Sequence, residues 1–225
     1  AAAASAGIRP PLRPWLDERP ALLDLESLDT AHGPCDAPVV GLRDDPAAQD
    51  QHPVSIDFDE VGNVAIIGAS GTGKTSALIA LAASLSRDAR RVQLYAIDAA
   101  GGSLDTIRGL PTVGAVAPLP DAELTKRVLQ CMLDVIAERG SRFAAARANS
   151  LSAYRRIEGR GNEPRLVLLL DGFAAFRQAT EALGGIGQPF RMLNEIMMHG
   201  RSVGVHVVVT SDRPSAIPAT MSSTL

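Results

Sequence analysis

The stretch Gly68–Thr75, GASGTGKT, decides the fold of this chain. It matches in full the pattern of a phosphate-binding loop, in which glycine is followed after four residues by glycine, lysine, and serine or threonine. The glycines at positions 68, 71 and 73 let backbone N–H groups turn inward toward phosphate oxygens. The pattern therefore predicts a nucleotide whose phosphates lie at the N-terminus of the next helix, where the helix dipole favours negative charge.

The segments on both sides of the loop support this prediction. Val64–Ile67 is a short, mostly β-branched run typical of a strand, and Lys74–Ser86 has apolar residues at helical spacing. Further strands are predicted at 92–97, 112–117, 166–170 and 205–209, and further helices at 121–148 and 189–199. Strands that alternate with helices form a parallel sheet with right-handed crossovers. The sequence thus predicts an α/β protein with a RecA-like P-loop NTPase fold, a mostly parallel sheet flanked by helices.

The residues before the loop have a different character. Residues 1–37 are rich in Ala, Pro and Gly and predict an extended N-terminal linker, and residues 38–225 are expected to form the nucleotide-binding domain, truncated at its C-terminus. PVVGL and HPVSIDF predict two short strands separated by the polar loop Arg43–Gln51. Trp15, the only tryptophan, either rests on its own domain or anchors the linker in a pocket of a neighbouring domain.

Side chains of the loop and of a second strand end supply the predicted binding groups. Lys74 places a positive charge at the β- and γ-phosphates, and the Thr75 hydroxyl is suited to coordinate Mg²⁺. Asp171 ends the strand RLVLLLD and is expected to accept a hydrogen bond from Mg²⁺-bound water or from Thr75. An alternative is a turn or helix-capping aspartate, because Asp-Gly is a common turn pair. The predicted cofactor-binding residues are Gly68, Ala69, Ser70, Gly71, Thr72, Gly73, Lys74, Thr75, Ser76 and Asp171, with Thr75 and Asp171 at the metal.

Gly172 is the anomaly of the predicted site. Attack on the γ-phosphate needs a group that positions or deprotonates water, and glycine has none. Asp98 also ends a strand, but in the usual strand order of P-loop ATPases that carry a glutamate here, that strand lies on the far side of the sheet from the loop strand. Asp212 follows the last strand, which in that order lies between the loop strand and the Asp171 strand, and is the better substitute. Thr210 and Ser211 end the same strand and either sense the γ-phosphate or satisfy turn backbone groups.

Composition excludes several other classes of protein. The chain is 46% hydrophobic and 21% charged, which is ordinary for a globular protein, and its net charge of −3 gives no general attraction to nucleic acid. Cys35 and Cys131 are too few and too far apart for a disulfide scaffold or a zinc cluster, and Cys131 is expected to pack on an apolar helix face. The apolar runs are too short to span a bilayer.

Taken in order, these segments resemble the FtsK/SpoIIIE group of P-loop ATPases, and within it a middle ATPase domain of the EccC proteins of type VII (ESX) secretion. The similarity extends from about Pro11 to the end of the chain. The segments that carry it are LRPWL, VVGLRDDPAAQDQHPVSIDF, GASGTGKTSAL, YAIDAAGGSLDTIRGLPTVGAV, LLLDGFAAF and HGRSVGVHVVVTSDRPS. Only the loop segment is specific by itself; the order of the six segments is what makes the resemblance strong.

The resemblance implies an ATP- and Mg²⁺-binding domain that couples nucleotide binding to interdomain contacts during protein export, with hydrolysis weak or absent. Its implied partners are neighbouring ATPase domains of the same or another chain, and ESX secretion substrates of the WXG100 type. It places the domain at the cytoplasmic face of the cell membrane, within a larger protein whose other parts make the membrane contact. The fragment itself is expected to be soluble.

An active DNA translocase of the same family is the alternative. Those relatives carry Asp-Pro-Lys, Asp-Glu and Thr-Gln-Arg-Pro where this chain has IDAAGG, DG and TSDRP. Each difference removes a catalytic or sensor residue, so the comparison with translocases predicts no DNA partner.

Overall fold

The computed structural model describes residues 23–24, 28, 37–87, 89–182 and 188–225. The predicted linker lies almost entirely outside these ranges, together with Trp15 and Cys35. The predictions made for those residues therefore stay predictions.

The first described element is an antiparallel hairpin of β1 (Val39–Asp45) and β2 (Asp50–Ser55). The predicted polar loop Arg43–Gln51 was wrong in its extent, because both of its ends pair as strand and only residues 46–49 turn. The carboxylate of Asp45 accepts hydrogen bonds from the N–H groups of the turn at positions 47 and 48. Ladder hydrogen bonds and this local bond outweigh the low strand preference of the polar residues.

Within the part of the chain that the structure describes, the central sheet has five strands, all parallel, in the order β3–β7–β6–β4–β5. Its strands are β3 (Val64–Ile67), β4 (Val92–Asp98), β5 (Val113–Pro118), β6 (Arg165–Asp171) and β7 (Val205–Ser211). The predicted parallel α/β sheet is thus confirmed. As predicted, β7 lies between the loop strand β3 and the Asp171 strand β6, and β4 lies on the far side of β6.

Helices cover both faces of this sheet. They are α1 (Phe58–Val61), α2 (Lys74–Leu85), α3 (Ala122–Ala145), α4 (Leu151–Arg155), α5 (Phe173–Ala182), α6 (Gln188–His199) and α7 (Ala219–Ser222), with 3₁₀ helices at Ser103–Gly109, Arg201–Val203 and Pro214–Ala216. Helix α5 has no counterpart among the predicted elements. Within the described residues, no helix is both long enough and apolar enough to cross a membrane.

The residues of strand β6 are buried on both faces of the sheet. Leu166, Leu168 and Leu170 pack into the cluster that contains α3 and α6 residues, whereas Val167 and Leu169 pack into the cluster with α2. A strand covered on both sides needs apolar residues at consecutive positions rather than at alternate ones. This coverage on both faces explains the run of five apolar residues, 166–170, that predicted a buried strand.

Cys131 lies half-buried on α3, with Sγ 4.0 Å from the hydroxyl of Tyr95, so it packs against the sheet as expected.

The carboxyl ends of parallel strands meet at one edge of a sheet, and ligands of open α/β sheets bind outside that edge. Here the ends of β3, β7, β6 and β4 bring the loop, Thr210, Asp171 and Asp98 to the same side of the molecule.

Candidate nucleotide-binding site

The phosphate-binding loop, residues 68–73, joins β3 to α2. Its first N–H group, that of Gly68, donates to the carbonyl of Ser211 at 3.1 Å, which ties the loop to the end of β7. Gly71 and Gly73 have φ values of +79° and +88°, which side-chain-bearing residues adopt at a cost. Gly73 is also the N-cap of α2, and because glycine has no capping side chain, the N–H groups of the first turn have no side-chain cap, which suits this helix end to an anion.

Lys74 is held by the loop itself. Its ammonium group donates to the carbonyl oxygens of Gly68 at 2.8 Å and Ala69 at 2.9 Å. It also forms an ion pair with Asp212, with Nζ 2.8 Å from Oδ1. The side chain of Thr72 donates to the Ala69 carbonyl as well, at 2.8 Å, so side chains of the loop fix its curvature.

Asp171 lies at the end of β6 and is buried. Its Oδ2 accepts a hydrogen bond from the Thr75 hydroxyl at 2.6 Å, and its Oδ1 accepts one from the Thr210 hydroxyl at 2.5 Å. The carboxylate is therefore directed toward the loop and toward β7. Of the two predicted roles, this geometry matches the contact to Thr75 rather than a turn or cap.

Thr210 and Ser211, the two predicted sensor residues, have different surroundings. The Thr210 hydroxyl donates its one proton to Asp171 and accepts from the N–H of Gly172 at 2.8 Å. The Ser211 hydroxyl donates to the carbonyl of Arg213 at 3.0 Å and thus satisfies a turn carbonyl. Only Thr210 is part of the polar cluster that includes the site residues.

Gly172 has no carboxylate, and the backbone conformation at this position also favours glycine. Its φ is +84°, in the left-handed region that favours glycine. A Cβ added there would lie 3.1 Å from the carbonyl carbon of Ala99 and 3.3 Å from Cβ of Ala100. The chain after Asp171 therefore turns against the end of β4, where a glutamate side chain would be strained.

Asp98 and Asp212 are the other strand-end carboxylates that could replace a water-positioning glutamate at position 172. Asp98 uses Oδ1 to accept from three backbone N–H groups, those of residues 100, 101 and 102, and Oδ2 to accept from Leu104 at 2.8 Å. These four hydrogen bonds hold the loop after β4, so the Asp98 carboxylate is not placed to position a water molecule. Asp212 is exposed and faces the cleft, but its carboxylate pairs with Lys74.

The cleft between these elements has a volume of about 490 Å³, which lies within the range of small-molecule sites. The predicted residues that line it are Ser70, Gly71, Gly73, Lys74, Thr75, Ser76, Asp171, Thr210 and Ser211. Gly68, Ala69 and Thr72 shape the loop behind it. Gly172 and Asp212 line it as well, and the lining residues that were not predicted are Ala99, Ala100, Phe173, Ala174 and Ala175. They follow β4 or begin α5, and apolar residues carry no chemical pattern by which the sequence could assign them.

The pair formed by Thr75 and Asp171 fits a divalent cation. Because the Thr75 hydroxyl gives its proton to Asp171, its lone pairs remain for a metal. Asp171 would then accept a hydrogen bond from a water molecule bound to the metal. Mg²⁺ suits such a site, since it keeps several waters and takes other ligands from phosphate oxygens.

A polar network around the buried side chains of Arg165 and His206 lies at the opposite edge of the sheet and includes two residues of the HGRSVGVH segment, Arg201 and His206. Arg165 donates to Nε2 of His206 at 2.7 Å and to Asp59 Oδ1 at 2.8 Å. Since the arginine can only donate, Nε2 accepts, and Nδ1 of His206 carries the proton that is given to the Gly62 carbonyl at 2.9 Å. Arg201 donates to the carbonyls of Asp59 and Glu60. These contacts fasten α1 beneath β6 and β7.

The chain is similar to proteins of ESX secretion systems. It is 33% identical over 207 residues to the ESX-4 secretion system protein EccC4 of Mycobacterium tuberculosis, a match that covers 89% of this chain and 16% of that protein. It is 30% identical over 184 residues to the ESX-1 secretion system protein EccCb1 of Mycolicibacterium smegmatis, covering 77% of this chain and 30% of the relative. The chain thus spans less than a third of the length of either relative.

A solved structure has the same fold. ATPases 2 and 3 of Thermomonospora curvata EccC, in complex with a signal sequence peptide, match with a TM-score of 0.77 and 27% identity over 88% of this chain and 36% of that chain. The model of the FtsK/SpoIIIE family matches residues 28–224, which include the loop, both site strands and the HGRSVGVH segment. The chain therefore belongs to the FtsK/SpoIIIE family.

Proposed function

We propose that this chain is an ATP- and Mg²⁺-binding domain of a type VII secretion ATPase that hydrolyses ATP weakly or not at all. In this proposal, binding acts through contacts with neighbouring ATPase domains during protein export. One observation carries the proposal. Lys74, Thr75 and Asp171 meet in one cleft, while the residue after Asp171 is a glycine whose backbone conformation disfavours a side chain.

Binding is supported by the groups that converge on the cleft. The first turn of α2 presents N–H groups, Lys74 adds a full positive charge, and Thr75 offers lone pairs to a metal. Helix N-termini and cations both favour phosphate. ATP and Mg²⁺ are the ligands that this combination suits best.

Weak hydrolysis is supported by the state of the carboxylates. Among the described residues that line the cleft, the acidic side chains are Asp171 and Asp212. Both oxygens of Asp171 already accept hydroxyl protons, and Asp212 pairs with Lys74. A positioned general base contributes about 10²- to 10⁴-fold in rate, so its loss alone would make turnover very slow.

Action through neighbouring domains is supported by the relatives. The chain corresponds to a fraction of each relative, and the solved EccC structure contains two ATPase domains and a signal sequence peptide. We propose that the parent protein binds secretion substrates of the WXG100 type, with this domain responding to nucleotide.

The test is thermal unfolding with and without MgATP, followed by measurement of phosphate release. At a ligand concentration of about 100 times Kd, binding should stabilise the fold by about 2.7 kcal/mol. Lys74→Ala is the matched variant, which should fold but lose the shift. The absence of a shift in the intact protein would refute binding. Turnover of several per second that requires Lys74, or hydrolysis stimulated by DNA, would refute the proposal of a weakly hydrolysing export domain.

A further inference from the structure

We propose that Asp212 determines the form of nucleotide that this site accepts: it disfavours metal-free ATP and makes binding depend on Mg²⁺. The inference rests on the proposed function, because it concerns the affinity of the same cleft. It assigns to Asp212 a role other than the activation of water.

The contact between Lys74 and Asp212 is the starting point. The lysine ammonium group has three protons, and the structure gives it three oxygen neighbours, on Gly68, Ala69 and Asp212, all within 2.9 Å. To donate to a phosphate, Lys74 must release at least one of them. The Asp212 carboxylate is the only anion of the three, so it competes most directly with the phosphate.

The position of Asp212 is fixed by the fold, while its side chain is free to move. Ile67 pairs with Ser211 in the ladder between β3 and β7, and the N–H of Gly68 donates to the Ser211 carbonyl. Asp212 follows directly, so its backbone stays beside the loop. Its side chain is 68% exposed, and can therefore turn away from Lys74 without loss of packing.

The charges of the cleft give the direction of the effect. Among the described lining residues, the charged side chains are Lys74, Asp171 and Asp212, which sum to one net negative charge. A metal-free triphosphate brings its full negative charge into this field. Mg²⁺ cancels two of those charges and is itself attracted by the carboxylates. Asp212 thus penalises the metal-free nucleotide more than the magnesium complex.

The exposure of the Asp212 side chain sets the expected size of its effect on ATP affinity. Two unit charges about 4 Å apart interact by about 1 kcal/mol in water and several times more near a protein surface, and the exposure of Asp212 places it near the lower value. One kcal/mol corresponds to about fivefold in affinity. Asp212→Asn should therefore tighten the binding of metal-free ATP about fivefold or more, and that of MgATP about twofold or less.

The experiment measures the Kd of ATP by titration calorimetry, once with excess Mg²⁺ and once with EDTA, for the wild type, Asp212→Asn and Asp105→Asn. Asp105 is the matched control: its side chain is 67% exposed, it pairs with Arg108 at 2.7 Å, and it does not line the cleft. The expected result is a smaller ratio of the two Kd values in Asp212→Asn alone. Asp212→Ser repeats the test if the amide variant does not fold.

The outcomes separate this inference from the proposed function. If all three proteins bind MgATP with the same ratio of Kd values, the role of Asp212 is refuted and nucleotide binding stands. If Asp212→Asn instead loses phosphate release at unchanged affinity, Asp212 acts on water and the inference is wrong. If no protein binds either form of ATP, the proposed function fails and the inference fails with it.

Discussion

The hydroxyl of Thr75 lies 2.6 Å from Oδ2 of Asp171, although the two residues are 96 positions apart in the chain. The hydrogen bond joins the start of α2 to the end of β6 across the intervening strand β7. It links the loop that would hold phosphates to the carboxylate that would hold a metal-bound water. A substitution at either residue should therefore change the binding of the magnesium complex.

Removal of the Thr75 hydroxyl should therefore weaken the magnesium complex selectively. Thr75→Val keeps the shape but removes the proposed metal ligand and the donor to Asp171, whereas Thr75→Ser keeps both. We expect Thr75→Val to raise the Kd of MgATP about tenfold, equivalent to about 1.4 kcal/mol. Calorimetric titration with Mg²⁺ and with EDTA measures it. An equal loss in both conditions would show that the hydroxyl serves the loop rather than the metal.

The Thr210 hydroxyl should matter for stability more than its neighbour does. Thr210→Val leaves the Gly172 N–H without its acceptor and Asp171 Oδ1 without its donor, in a buried place. Unsatisfied buried groups cost about 1–3 kcal/mol each, so the free energy of unfolding should fall by about 3 kcal/mol. Ser211→Ala, which loses one hydrogen bond to Arg213, should cost about 1 kcal/mol. Urea unfolding compares the two, and equal costs would mean that the hydrogen bonds of Thr210 to Asp171 and Gly172 add nothing beyond a single turn hydrogen bond.

A side chain at position 172 should destabilise the fold without restoring hydrolysis. The left-handed conformation costs about 1–2 kcal/mol for a residue with Cβ, and the added Cβ crowds Ala99. Gly172→Ala should thus lower the free energy of unfolding by about 2 kcal/mol, and Gly172→Glu should do so without faster phosphate release. Gly140→Ala is the control: it lies in α3 with nothing within 4 Å of an added Cβ, so it should stabilise by about 0.5–1 kcal/mol. Rapid, Lys74-dependent turnover in Gly172→Glu would show that the missing carboxylate alone limits hydrolysis, and that the strain at position 172 does not keep a glutamate from positioning water.

The sequence predicted those parts of the site that follow from local patterns. The loop has a fixed spacing, and the five apolar residues before Asp171 report a strand covered on both faces. Together with the strand order usual in P-loop ATPases they predict that Asp171 lies near Thr75, and the two side chains are 2.6 Å apart.

What the sequence did not predict depends on contacts between distant segments. The pair of Lys74 and Asp212 arises because β7 lies beside β3, and no local pattern shows it. The need for glycine at position 172 comes from contact with the end of β4, whereas the sequence shows only that a glutamate is absent there. The polar residues around Asp45 predict a loop, because pairing with the partner strand, and not their side chains, makes them extended.

The histidine at the opposite edge of the sheet should make the fold sensitive to acid. Burial, together with the charge of Arg165, lowers the pKa of His206 to about 3. In the unfolded chain the same group takes up a proton below about pH 6.5. Between these values the unfolded state binds more protons, so stability is complete above pH 6.5 and is lost as the pH falls. From pH 8 to pH 5 the loss attributable to His206 should be about 2 kcal/mol.

The ionisation of Asp59 determines the pH range in which the loss due to His206 can be measured. Burial opposes ionisation of Asp59, but a hydrogen bond from Ser152 and the charge of Arg165 outweigh it and hold its pKa below the usual range. Its contribution is therefore lost only in stronger acid, and the range from pH 5 to 8 isolates His206. Urea unfolding at both pH values should show a smaller difference for His206→Gln than for the wild type, while the exposed His199→Gln should behave as the wild type does. An unchanged pH dependence in His206→Gln would mean that His206 accepts a proton in the folded protein, and that the hydrogen bond from Arg165 does not hold it neutral.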